Sequence, residues 1–142
     1  RGCAEGGRAG ARHVRAPEVV LGLEWGVGID LWSLGTLVAS MYTGGRLFRV
    51  HEDMAHLAAM ERICEARLPS DMTRRTAPRI LAKGVAFDAA TGRLAWDRAG
   101  PEAAERLADL QPLSALVAPR HAPLLTLLRG LLELRPDARL TA

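Results

Sequence analysis

The chain has 142 residues and a mass of 15.3 kDa, which fits one domain or part of one. Hydrophobic residues make up 49% and charged residues 25%, so the chain can bury a core, which excludes a disordered tail. The net charge is only +3 and aromatic residues make up 4%, which argues against a surface that stacks nucleic-acid bases. We therefore expect no direct nucleic-acid partner.

Two further classes of protein are excluded by simple patterns. Cys3 and Cys64 are the only cysteines and lack C-x-x-C spacing, which excludes a disulfide-stapled scaffold and favours a reducing compartment. The longest nearly apolar run, residues 31–42, is far shorter than the roughly 20 residues that span a bilayer, so we expect no membrane partner. The sequence opens with Arg1 and without a signal peptide, so we expect a truncated protein that is not secreted.

The first part of the chain predicts a loop, a short helical turn and one long helix. Residues 1–10 are rich in Gly and Arg without periodicity, which predicts a loop or disordered segment. A short turn of helix follows at residues 17–21. The long helix is predicted over 29–43, with Asp30 near its start. Its apolar residues cover nearly every face, so we expect neighbouring elements on all sides.

The remaining chain predicts shorter helices and one small hairpin. An amphipathic helix is predicted over about 54–65 with Asp53 as its N-cap, and a short one over 69–75. Residues 86–88 and 94–96 flank a Thr-Gly pair, which predicts a β-hairpin. Further helices are predicted over 101–110, 112–117 and 123–134. The fold class from these patterns is mainly α with a small β-hairpin.

Generic catalytic and metal-binding patterns fail in this sequence. No G-x-S-x-G motif surrounds a serine, and the G-x-G at residues 26–28 lacks the third glycine of a dinucleotide-binding loop. His51 and His56 do not share one helical face, so we interpret both as exposed and predict no metal site. Cys64 is interpreted as a buried, inert thiol, and Trp32 and Trp96 as core side chains.

Three segments of the sequence, taken in their order along the chain, are not explained by these generic motifs. They are residues 15–18 (RAPE), 30–35 (DLWSLG) and 135–141 (RPDARLT). In this order and spacing they resemble the C-terminal lobe of a eukaryotic protein kinase, from the A-P-E end of the activation segment onward. The resemblance implies that residues 11–142 form part of a protein kinase domain: the helical lobe with the small hairpin as an insert, and an incomplete domain.

A fourth segment narrows the resemblance to a subfamily. Residues 56–63 (HLAAMERI) resemble the signature helix of the LAMMER kinases, the Clk-type dual-specificity group, with Ala59 in place of a methionine. Segments 47–52, 92–97 and 131–134 also lie where that family would place them. The signature positions that match are His56, Leu57, Ala58, Met60, Glu61 and Arg62.

The resemblance implies roles for individual residues. Glu18 would form a buried salt bridge with Arg139, although from the residues alone the two could be unrelated surface charges. Asp30 would anchor the catalytic loop of the kinase, or simply cap its helix, and Trp32 belongs to the same structural motif. The residues implied to line the substrate pocket, which could instead form a solvated basic loop, are Arg12, His13, Val14 and Arg15.

The sequence departs from the family pattern both in the implied substrate pocket and in the ATP site. Ala11 stands where the family has a threonine that orients catalytic groups, and Val14 replaces a tyrosine. The chain contains no Gly-rich loop, no V-A-I-K lysine, no H-R-D-L-x-x-x-N and no D-F-G, which hold ATP, the catalytic base and Mg²⁺. We therefore expect no catalytic residue, metal site or cofactor in this chain, with ATP and Mg²⁺ bound only by the parent kinase.

The function implied for the parent protein is phosphoryl transfer from MgATP to Ser, Thr or Tyr of protein substrates. The family's substrates are Arg/Ser-rich splicing factors, which implies a nuclear location, or otherwise a cytoplasmic one. The chain alone is predicted to be inactive and to need the missing N-lobe and catalytic loop as partners. Two alternatives stay open: a degenerate, pseudokinase-like binding module, and a truncated product without function.

Overall fold

The protein is described by a computed structural model over residues 10–50 and 52–142. Within these ranges the chain forms short helices around one long helix. The α-helices are α1 (Pro17–Val20), α2 (Gly28–Thr43), α3 (Asp53–Cys64), α4 (Ser70–Thr73), α5 (Pro78–Leu81), α6 (Pro101–Ala108), α7 (Leu113–Leu116) and α8 (Ala122–Leu131). Short 3₁₀ helices span Arg12–Val14, Trp96–Ala99 and Pro119–His121.

The predicted mainly α fold class is confirmed, and the helix ends differ by a few residues. The helices predicted over 54–65, 112–117 and 123–134 correspond to α3, α7 and α8. The helix predicted over 69–75 ends earlier, at Thr73, and α5 was not predicted. A helix of four residues makes little more than one turn, so it shows no hydrophobic period that a sequence pattern could reveal.

The predicted small hairpin is present in a minimal form, with backbone hydrogen bonds that join residues 86 and 88 to residues 95 and 93. Phe87 and Leu94 form an isolated antiparallel bridge, and the described residues contain no extended strand. The Asp88 carboxylate accepts hydrogen bonds from the backbone and the hydroxyl of Thr91, both at 2.7 Å, which closes the turn. The arms are too short for more pairing because a 3₁₀ helix begins at Trp96.

The long helix α2 lies at the centre of the described fold. Trp32 and Ala39 are buried on the face that meets α8 and the 3₁₀ helix at Arg12–Val14. The helix ends at Gly44, whose φ of +77° gives the left-handed cap that glycine adopts without strain. The expectation of neighbours on all sides is wrong for the described residues, because one stripe of α2 stays exposed. That stripe is Leu34, Leu37 and Met41.

Helix α3 packs its apolar side against α1, α6 and the 3₁₀ helix at Trp96–Ala99. Leu57, Met60 and Ile63 are buried, which confirms the predicted amphipathic pattern. The prediction of Asp53 as N-cap is wrong, because Glu52 occupies the cap position and Asp53 is the first helical residue. The Asp53 side chain instead lies 3.4 Å from the guanidinium of Arg12.

The crossing of α2 over α8 depends on the absence of a side chain at Gly35. A Cβ at this position would lie 2.9 Å from the Cβ of Leu131 and 2.9 Å from Cδ2 of Leu132. Both leucines are buried in the core, so they cannot move aside without disturbing their own neighbours. Gly35 therefore sets the distance between the two helices.

We predict that Gly35→Ala destabilises the protein by about 1–3 kcal/mol, because the added methyl forces α2 and α8 apart. The measurement is the free energy of unfolding in urea. Gly26→Ala is the matched control, since nothing lies within 4 Å of a Cβ built there. Equal stability of the two variants would contradict this account of the crossing.

Candidate substrate-side site

A buried ion pair joins the two ends of the described chain. The guanidinium of Arg139 donates to both carboxylate oxygens of Glu18, with Nη1–Oε1 at 2.8 Å and Nη2–Oε2 at 3.0 Å. It also donates to the carbonyl oxygens of Gly28 and Glu133, each at 3.0 Å. Glu18 and Arg139 are 2% and 3% exposed, so both charges depend on each other in a site closed to water.

An aromatic pair lies on one side of this ion pair, with Trp32 next to Arg139. The Arg139 guanidinium lies 5.3 Å from the ring centroid of Trp32, a distance at which a cation is attracted to the ring face. Trp32 stacks on Phe48 with their centroids 6.1 Å apart and their planes at 10°. Trp32 is fully buried, as predicted, and it couples the ion pair to the core below α2.

The 11–15 loop, which the resemblance assigns to substrate binding, is fixed at several points. The Ser33 hydroxyl on α2 donates to the Val14 carbonyl oxygen at 3.1 Å. Arg12 pairs with Asp53 at 3.4 Å, and Arg15 Nε donates to the carbonyl oxygen of Gly10 at 3.2 Å. The loop is thereby attached to both α2 and α3, and its predicted side chains at 12–15 are all half-buried.

A cleft of about 520 Å³ opens beside this loop. We call it the basic cleft; it is lined by Arg12, His13, Arg46, Phe48, Arg49 and Val50. Arg12 and His13 are among the residues predicted from the sequence, whereas Arg46 and Arg49 are not. Their signal was two arginines three positions apart around an apolar pair, after the end of α2, but only the fold shows that they meet the 11–15 loop.

Asp30 does not cap α2. The helix begins at Gly28, so Asp30 lies in its first turn, and its side chain makes no capping hydrogen bond. The start of α2 carries no side-chain cap, and the Asp30 side chain is exposed. Its implied role as an anchor for a catalytic loop stays a prediction.

His56 in the signature helix is buried, so its interpretation as an exposed histidine is wrong. The ring is 1% exposed and lies 5.2 Å from the ring of Phe48, centroid to centroid. The pKa of His56 is lowered to about 4, mainly because the ring is buried and in smaller part because of the positive charges of Arg12, Arg15 and His13. His51 lies outside the described residues.

The other signature residues support the helix rather than a reaction. Leu57, Ala58 and Met60 are buried in the core. Glu61 accepts a hydrogen bond from the backbone N–H of Leu68 at 2.8 Å, and burial raises the pKa of this carboxyl. On the exposed side, Arg62 Nε donates to the carbonyl oxygen of residue 110 at 3.1 Å, which links α3 to the chain after α6.

The remaining candidates bring no reactive group to the site. Cys64 is half-buried, and burial raises the pKa of its thiol to about 12, so it stays protonated and inert; Cys3 lies outside the described residues. Trp96 is half-buried and lines two clefts between α3 and α6.

Nowhere in residues 10–50 and 52–142 do three or more His, Cys, Asp or Glu side chains come together as a metal site would require. No helix in these ranges is long and apolar enough to cross a membrane.

Comparison with known protein families gives one match over nearly the whole chain. The protein kinase domain matches residues 7–142. The chain belongs to the protein kinase family. A solved crystal structure of the kinase domain of PF14_0431 has the same fold, with a TM-score of 0.80 and 33% identity over 92% of this chain and 37% of that one.

Relatives of this kinase chain confirm the predicted subfamily. The dual specificity protein kinase CLK2 of Homo sapiens is 39% identical over 92% of this chain. The probable dual specificity protein kinase madd-3 of Caenorhabditis elegans is 36% identical over 91% of it. The chain spans 25% of the length of the first relative and 14% of the second, so it corresponds to one part of each.

In this kinase lobe, replacing one residue of the Glu18–Arg139 pair should lower the free energy of unfolding more than replacing both residues. We expect Glu18→Gln and Arg139→Met each to destabilise the chain by about 3–5 kcal/mol, because each leaves a buried group without its partner. The double variant should lose clearly less than the sum of the two. Urea denaturation of all four proteins tests this. Additive losses, or single losses below about 1 kcal/mol, would show that the pair does not act as a unit.

The buried His56 predicts a loss of stability in acid. Its pKa is about 4 in the folded kinase chain and 6.5 in the ordinary state, so between these values the unfolded chain binds more protons. Stability contributed by the neutral ring is therefore complete above about pH 6.5 and falls by roughly 3 kcal/mol as the pH drops to 4.

The measurement is the free energy of unfolding against pH for the unchanged chain and for His56→Leu. The variant cannot titrate at this position, so the difference between the two curves should change across this window alone. A constant difference from pH 7 to pH 4 would mean that His56 keeps an ordinary pKa.

Proposed function

We propose that this chain is the substrate-side part of the C-terminal lobe of a Clk-type dual-specificity protein kinase. The parent protein would transfer phosphate from MgATP to Ser, Thr or Tyr hydroxyls of Arg/Ser-rich protein substrates. The observation that carries the proposal is the bidentate, buried contact between Glu18 and Arg139. It fixes the end of the segment that follows the 11–15 loop to the last part of the lobe.

The contacts that hold the 11–15 loop in place support a role of this loop in positioning a substrate. Ser33 holds the loop from α2, and Asp53 holds it from the start of α3. A loop held from two helices keeps one shape when a peptide binds, so less conformational freedom is lost at that step. Positioning of the acceptor hydroxyl is a large part of catalysis in phosphoryl transfer, where there is little covalent chemistry for the protein to do.

ATP and Mg²⁺ do not fit the residues described in this chain. The side-chain clusters needed for a metal ion are absent from ranges 10–50 and 52–142, and the sequence lacks the phosphate-binding and metal-binding kinase motifs. We infer that the chain alone transfers no phosphate. The nucleotide would be bound by an N-lobe and catalytic loop outside this sequence, and the exposed stripe Leu34, Leu37 and Met41 offers them an apolar surface on α2.

The proposed cellular location of the parent kinase follows from its proposed substrate class. Arg/Ser-rich splicing factors act in the nucleus, so we propose a nuclear location for the parent kinase. The assignment rests on the Clk-type relatives and on the matching signature helix at 56–63, and a cytoplasmic location is the alternative.

A second candidate function, a degenerate kinase lobe that only binds its protein partner, is favoured by one substitution. Ala11 stands where the family has a threonine whose hydroxyl helps to orient catalytic groups, and an alanine cannot form that hydrogen bond. The two functions differ in whether the intact parent protein transfers phosphate.

Phosphate transfer by the native protein tests the proposal. An antibody against this segment should detect a polypeptide much larger than 15.3 kDa. That polypeptide should phosphorylate an Arg/Ser-repeat peptide in the presence of MgATP, and the 142-residue chain should not. A large product that phosphorylates none of the Ser, Thr and Tyr peptides would favour the binding module, and a product near 15.3 kDa would favour a truncated one.

Restoring the hydroxyl at position 11 should raise the activity of the parent protein. We predict that Ala11→Thr increases kcat by roughly 2–10-fold, the effect of one hydrogen bond of about 0.5–1.5 kcal/mol. Ala11→Val is the matched control, because valine has the shape of threonine without its hydroxyl. Equal rates for the threonine and valine variants would show that the missing hydroxyl does not limit the reaction.

A further inference from the structure

The basic cleft carries positive charge on both of its sides. Arg12 and His13 come from the 11–15 loop, and Arg46 and Arg49 come from the chain after α2. None of the lining residues is acidic. The cleft thus concentrates positive charge in a chain whose net charge is only +3.

Two of these arginines are available to a ligand. Within the described ranges, Arg46 and Arg49 form no ion pair within 4.0 Å, and both side chains are exposed. Arg12 differs, because Asp53 lies 3.4 Å away and neutralises part of its charge. Arg12 thus contributes to the shape of the cleft, whereas Arg46 and Arg49 contribute unpaired guanidinium groups. The N–H donors of a guanidinium group can bind two oxygens of a phosphate or a carboxylate at once.

A buried group behind the cleft responds to the same charge. The ring of His56 lies against Phe48, which is itself a lining residue of the basic cleft. Burial is the main reason for the lowered pKa of His56, and the positive charges of Arg12, Arg15 and His13 lower this pKa as well, because they oppose a further positive charge. The charges of Arg12 and His13 on the cleft therefore act on the core beneath it as well.

We propose that the basic cleft binds an anionic side chain, a phosphate or a carboxylate, of the protein substrate. Arg46 and Arg49 are the anion-binding residues, and the ligand lies next to the 11–15 loop, which the family resemblance assigns to the substrate pocket. That the anion belongs to a substrate rests on the proposed function, whereas anion binding itself does not.

The proposal limits how an Arg/Ser-rich substrate can lie on this lobe. A substrate arginine would meet like charges in the basic cleft, which is unfavourable. A phosphorylated serine or an acidic residue would be attracted to the same place, because a phosphoserine carries about −1.5 to −2 charge at pH 7. Substrate arginines must therefore be bound elsewhere on the kinase, and an acidic or already phosphorylated residue occupies the basic cleft.

Direct binding to the 142-residue chain tests the proposal without any kinase activity. Three labelled peptides of Gly and Ala, identical except for one central phosphoserine, aspartate or serine, are titrated by fluorescence anisotropy at about 50 mM salt. We expect the phosphoserine peptide to bind at least tenfold more tightly than the serine peptide, with the difference shrinking as salt screens the charges. Tight binding of the aspartate peptide as well would identify a general acidic ligand, and its absence would identify a phosphate.

Arginine variants test whether the phosphoserine peptide binds in the basic cleft. Arg46→Gln with Arg49→Gln should reduce the phosphoserine peptide to the affinity of the serine peptide. The matched control is Arg79→Gln with Arg120→Gln, which removes the same charge from exposed positions elsewhere and should leave at least half of the preference. Should the first variant fail to fold by circular dichroism, competition by inorganic phosphate against the phosphoserine peptide on the unchanged chain gives the answer instead.

The outcomes separate this proposal from the proposed function. Equal binding of all three peptides, equal loss in both double variants, or no competition by phosphate would overturn the basic cleft as an anion site, even if the parent protein is an active kinase. Conversely, selective binding that depends on Arg46 and Arg49 would support the site even if the parent protein transfers no phosphate.

Discussion

The contact between Glu18 and Arg139 is the constraint on which the other parts of this lobe depend. Each of these charges would be unstable in the core without the other, because neither could be solvated there. Arg139 also binds the first residue of α2 through the Gly28 carbonyl and covers the ring of Trp32. One guanidinium thus holds the segment after the 11–15 loop, the start of the central helix and the largest core aromatic in a single arrangement.

The signature helix α3 supports the 11–15 loop from the other side. Its first residue, Asp53, holds Arg12, and its buried His56 packs on Phe48 beneath the basic cleft. The residues that identify the subfamily are accordingly packing and hydrogen-bonding residues, with Glu61 and Arg62 both bonded to the backbone of neighbouring segments. The helix that carries the subfamily signature therefore contacts both the 11–15 loop and the basic cleft directly.

Local patterns in the sequence predicted the longer helices but missed the four-residue helix α5, and the family resemblance predicted the contact between the ends of the lobe. The period of Leu57, Met60 and Ile63 predicted α3, and the resemblance placed Glu18 opposite Arg139. What failed depends on distant parts of the chain: Asp53 turned to Arg12 instead of capping its helix, and Phe48 covered a histidine that looked exposed. Arg46 and Arg49 were missed for the same reason, since only the fold brings them beside Arg12 and His13.

The sequence separation of the ion pair has a consequence for how the lobe is made. Glu18 and Arg139 are 121 residues apart, so their contact closes a loop that contains most of the chain. Closing so long a loop costs entropy that only the completed contact offsets, and contacts of this range slow folding. During synthesis Glu18 leaves the ribosome long before Arg139 exists, so the Glu18 carboxylate has no partner until the end of the lobe has been translated.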